Sequence, residues 1–126
     1  MINRYLLTCL IFTVLFVTLL DNKISIAEAP KFKLQAVTIK YNDNNSIIIA
    51  EQDAYAIDQS GKEIFSDKIV YDKKKLTIQT YKNSIFKDAK GNEIFAENFS
   101  YDLNQKKIEA KNNVNFKDKL GNNFFF

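Results

Sequence analysis

The sequence predicts an all-β protein: an antiparallel β-jelly roll of bent strands, built from 30-residue repeats. Three observations lead there. Residues 36–65, 66–95 and 96–125 align without an insertion. Within each unit apolar and polar residues alternate with period two, the mark of a strand with one buried face. Two turn signals punctuate each unit, "DQSG", "DAKG" and "DKLG" at one end and "YNDNNS", "YDKKKL" and "YDLNQK" at the other. A fixed period in the 20–50 range means that each unit is one supersecondary piece stacked on the next.

The N-terminus reads as an address label. Arg4 precedes an uncharged apolar run from Tyr5 to Leu20, and a polar stretch with small residues follows, "DNKISIAEAP". Ser25 and Ala27 fit the small-x-small cleavage rule, so 1–27 is read as a signal peptide and Glu28 as the mature start; a retained membrane anchor is the lesser alternative. Cys9, the only cysteine, lies within that apolar run rather than after it and belongs to the signal. Residues 28–35 read as a short linker and 36–126 as the repeat domain.

Five columns are identical in all three units. Two are turn residues, Asp58, Asp88 and Asp118 with Gly61, Gly91 and Gly121. Asp caps its own turn and Gly takes the left-handed conformation that closes a hairpin. The others are Tyr41, Tyr71 and Tyr101; Ile48, Ile78 and Ile108; and Phe65, Phe95 and Phe125. The strands between turns would run about 11 to 14 residues, well beyond the usual ~5–6. Polar or small interruptions at 66–68, 96–98 and 111–113 are read as bends, giving seven bent strands from about residue 37 onward.

Parity assigns an inward apolar face. On outgoing strands it holds Leu76, Ile78 and Phe86, then Ile108, Val114 and Phe116. On returning strands it holds Phe65, Ile69 and Tyr71, then Phe95, Phe99 and Tyr101, with Ile39 and Tyr41 at the start. Such a face is either a packed core or a slot for a long apolar ligand. The chain stops at Phe124, Phe125 and Phe126 without a turn or polar cap, which reads as a truncated domain or an edge that docks on a partner sheet.

Composition narrows the chemistry. With no His and one Cys, Ser–His–Asp and Cys–His nucleophiles, His-ligated metals and intrachain disulfides are excluded. A net charge of +3, evenly spread, does not suit a nucleic-acid surface. The recurring Asp58, Asp88 and Asp118, with Asp72 and Asp102, could in principle serve a carboxylate enzyme or calcium, but the turns account for them. No enzyme, no cofactor and no metal is the expectation, and Lys73, Lys74 and Lys75 read as a solvated turn.

The units "SDKIVYDKKKLTIQTYKNSIFKDAKGNEIF" and "AENFSYDLNQKKIEAKNNVNFKDKLGN" resemble the OstA-like repeat of lipopolysaccharide-transport proteins. The features are Tyr71 with Asp72, Asp88 with Gly91, Ala96 through Asp102, Ile108 with Ala110, and Asn113 with Val114. The first unit departs, with Asn42 in place of the aspartate and Asp53 and Ala54 in place of asparagine and valine. The resemblance implies a periplasmic jelly roll, associated with the outer membrane, that shields lipopolysaccharide acyl chains. Its partners would be other jelly-roll components of the transport bridge, joined by edge-strand pairing. The rival reading is an exported β-repeat scaffold without a lipid ligand.

Overall fold

The computed structural model describes residues 32–126. The signal-peptide reading of 1–27 and the first residues of the linker lie outside them. Every regular element among the described residues is a strand. They are β1 (Lys33–Gln35), β2 (Thr38–Asn42), β3 (Ile47–Ile57), β4 (Glu63–Asp72), β5 (Thr77–Tyr81), β6 (Ser84–Lys87), β7 (Glu93–Ala96), β8 (Asn98–Asp102), β9 (Lys107–Lys111), β10 (Asn115–Lys117) and β11 (Asn123–Phe125). Joined across their bends as β1–β2, β5–β6, β7–β8 and β9–β10, these make seven long strands. The first begins inside the stretch read as linker, because Lys33, Leu34 and Gln35 pair with Ile57, Ala56 and Tyr55.

All pairings are antiparallel, and the sheet divides into two arms that share β3 and β4. One arm runs β2–β3–β4–β5–β8–β9; the other runs β1–β3–β4–β6–β7–β10–β11. The arms face each other across the interior, where the Phe86 ring of β6 meets the Tyr101 ring of β8 at 6.3 Å, edge to face. This is the bent-strand jelly roll that the repeats predict.

The bend has a backbone cause that recurs with the period. Gln52 and Asp53, Lys82 and Asn83, and Asn112 and Asn113 all adopt positive φ. Two successive left-handed residues turn the outgoing strand, and Asn and Asp tolerate that conformation better than most residues. Opposite each pair stands one residue of the returning strand, whose amide donates to the first of the two: Val37 to Gln52 at 3.0 Å, Asp67 to Lys82 at 3.3 Å, Glu97 to Asn112 at 3.0 Å. Two residues thus face one, a bulge that re-aims the strand.

The D-x-x-G turns are closed by backbone and side chain together. Asp88 N–H donates to the Asn92 carbonyl at 3.0 Å, while its Oδ1 accepts from the amides of Lys90 and Asn92 at 2.8 and 2.9 Å. Gly91 sits at φ +91°. Asp58 and Asp118 repeat the arrangement, with Gly61 and Gly121 also at positive φ. In the other turns Asp72 and Asp102 accept from the amides two and three residues on.

Candidate functional site

The interior face is built from rows that cross the sheet. In the first arm the register joins Tyr41, Ile48, Tyr71, Ile78, Tyr101 and Ile108, an alternation of tyrosine and isoleucine over six strands. Beside it run Ile39, Ala50, Ile69 and Thr80, and then Phe99 with Ala110. In the second arm Leu34, Ala56, Ile64, Phe86, Ile94, Phe116 and Phe124 form one row. Columns in the sequence become rows in space because a 30-residue unit advances the chain by two strands.

Burial along these rows is graded. At the centre Ile64, Ile69, Ile78, Ala50 and Ala56 are sealed, and Phe86, Phe99, Tyr71 and Tyr101 nearly so. Burial pushes the Tyr71 phenol above its ordinary value. In the third unit Ile108, Ala110, Val114 and Phe116 are only half-buried, and Phe124 is 47% exposed. At the opposite end Ile39 and Tyr41 lie on the edge strand β2, with Tyr41 56% exposed. Leu76 and Ile48 are half-buried against the core.

Two residues assigned inward by parity lie on the other face. Phe65 stacks on Tyr55 at 4.8 Å, with the Lys87 ammonium 5.4 Å from its ring. It alternates with buried Ile64 and Ser66. Phe95, paired with Ile85, alternates likewise with Ala96. The cause is the bend. On the outgoing strand three residues separate inward Ala50 from inward Ala54, so parity survives. On the returning strand only two separate Ser66 from Ile69, so the inward set shifts by one. Ile64 and Ile94, not Phe65 and Phe95, carry the inner row.

Hydroxyls fill the interior at the bend. Where the β5–β8 backbone ladder stops, the Phe99 amide donates to Thr80 Oγ1 at 2.8 Å. Thr80 donates to Ser84 Oγ at 2.7 Å, and Ser84 reaches the Glu97 carbonyl at 3.1 Å. Ser66 Oγ lies 3.1 Å from Ser84 Oγ and 3.0 Å from the Lys82 carbonyl. Small hydroxyl side chains thus replace the backbone partners that the bulge removes, as buried polar groups require.

The aligned aspartates are engaged by their own turns. Burial raises the Asp88 carboxyl, but the Asn92 side chain and the amides of Asn92, Lys90 and Gly91 outweigh it and hold it below its usual value. The Asn92 equivalent in the third unit, Asn122, does the same for Asp118. Among the described residues no three His, Cys, Asp or Glu side chains gather to hold a metal ion.

No family model matches the sequence, and no curated protein matches it. Among solved structures the chain is similar to LptH from Pseudomonas aeruginosa, described as the LptA-homologous periplasmic component of the lipopolysaccharide transport device. Identity is 12%, the match covers 65% of this chain and 82% of that one, and the TM-score is 0.42.

Proposed function

We propose that the chain binds the acyl chains of lipopolysaccharide between its two arms and shields them from water in the periplasm. The carrying observation is the Tyr–Ile row and its partner row, apolar across the whole sheet and open in the third unit. Acyl chains would lie against Ile108, Val114 and Phe116 and extend toward Ile78 and Phe86, with sugars left in solvent. At about 25 cal/mol per Å² of apolar area, several acyl chains supply many kcal/mol without any covalent step. The repeat resemblance supports the same reading. On it the edges β1 and β2 at one end, and β9 and β11 at the other, are where partner jelly rolls would add strands.

A specific observation favours the second reading, a ligand-free exported scaffold: the central isoleucines are fully buried and the Phe86–Tyr101 contact already closes the middle of the interior. Native mass spectrometry with lipid A separates the two. Stoichiometric adducts are expected for the native chain and for Phe65→Asp, whose side chain lies on the outer face, and are lost in Phe116→Asp. An unliganded mass at saturating lipid would establish the scaffold instead.

A further inference from the structure

Two departures from the repeat meet in one place. After the glycine of the D-x-x-G turn, the second and third units carry Asn92 and Asn122, whose Nδ2 atoms donate to their own turn aspartates at 2.7 and 2.8 Å. The first unit carries Lys62. Its Nζ leaves the turn, donates to Tyr101 Oη at 3.3 Å and stands 5.8 Å from that ring's centre. The second departure is an exchange: the Tyr-Asp turn reads Lys73 and Leu76 in the second unit but Leu103 and Lys106 in the third. Leu103 is buried and Lys106 exposed. Neither turn needs the change, since sister units close with Asn and Leu.

Both departures line one open pocket of about 330 Å³ at the rim of the arms, between the first D-x-x-G turn and the third Tyr-Asp turn. Tyr101 and Leu103 line it from the buried side, and Lys62 and Lys106 bring two ammonium groups. Asp58 contributes one carboxylate, whose Oδ1 is taken up by the Ser60 and Lys62 amides. Among the described residues neither Lys62 nor Lys106 forms an ion pair. The pocket therefore carries a net positive charge over an apolar base. Tyr101 belongs also to the Tyr–Ile row, so the pocket abuts the interior at this ring.

We infer that this pocket receives the phosphate of a phosphorylated headgroup, with the attached alkyl chain passing over Tyr101 into the interior. The inference rests on the acyl-chain reading above and adds to it which end of the ligand lies where. Two ammonium groups at a rim suit a phosphate oxyanion, and hydrogen bonds to charged partners are the strong ones.

The test titrates the full chain, below micellar concentration, with dodecyl phosphate, uncharged dodecyl maltoside and inorganic phosphate. The variants are Lys62→Asn and Lys106→Leu, each installing the residue a sister unit already uses, so both should melt like the native chain. Dodecyl phosphate affinity should fall about tenfold in each variant, with dodecyl maltoside unchanged. Raising salt should weaken only the phosphate ligand. The apolar N-terminal run is common to all three proteins, so the differences report the pocket. Undiminished dodecyl phosphate binding in both variants overturns the headgroup site while leaving the acyl reading intact. Failure of both amphiphiles to bind overturns the two together. Inorganic phosphate binding as tightly as dodecyl phosphate, with the same lysine dependence, would make this a free-anion site and overturn the lipid assignment.

Discussion

Single residues carry the turns, and their physics gives the sharpest expectations. Gly91 at φ +91° has its nearest side-chain neighbour, Lys119 Cβ, 3.6 Å from where a Cβ would stand, so space is adequate and conformation is the cost. Gly91→Ala should lose about 1–2 kcal/mol, read as a lower midpoint in thermal melts. Asp88 and Asp118 have carboxyls held below their unfolded values, so the stability they add is full above about pH 4 and drains as pH falls through the folded values. Melting temperature should be flat from neutral pH to about 5 and fall below about 4. In Asp88→Asn that fall should be shallower, and an unchanged acid profile would remove Asp88 from the account. These turns were fully legible in the sequence because Asp and Gly act on their own neighbours.

At the scale of an element the strand is decided by its bend. Thr80 takes over from the backbone where the ladder breaks, so Thr80→Val, equal in size, leaves the Phe99 amide buried without its acceptor. That should cost about 1–3 kcal/mol, measured by denaturant midpoint, whereas Phe65→Ala on the outer face should cost less than Phe86→Ala, at about 3–5 kcal/mol for a buried ring. Equal losses for the two phenylalanines would contradict their opposite faces. The same contrast shows where sequence reading stopped. Alternation located the strands, the approximate bends and most of the inner face, including Ile78, Phe86, Phe99 and Tyr101. It fails at Phe65 and Phe95 because period-two parity does not carry through a corner where two residues face one. The signal was present: Ile64 and Ile94 were apolar at the opposite parity, and the Asn- and Asp-containing pairs at 52–53, 82–83 and 112–113 marked a left-handed bulge rather than a simple kink.

For the whole molecule, the repeat reveals most where it is broken. Identity of columns predicted the stacked jelly roll, since residues that recur every 30 positions must occupy equivalent places two strands apart. The rim pocket was not legible, because Lys62 and Lys106 look like ordinary surface lysines until the fold brings them 44 positions together across the two arms. The recurring left-handed pairs have a further consequence. Since corner, turn and inner rows all restart at one interval, the protein's width is a quantised variable. Inserting a second copy of 66–95 after residue 95 keeps every corner in phase and adds one Tyr–Ile step, whereas inserting half a unit sets a corner against a turn. The first chain should melt cooperatively with a larger denaturant slope, and the second should not fold. Growth by whole units alone makes the molecule a ruler, graduated in steps of two strands.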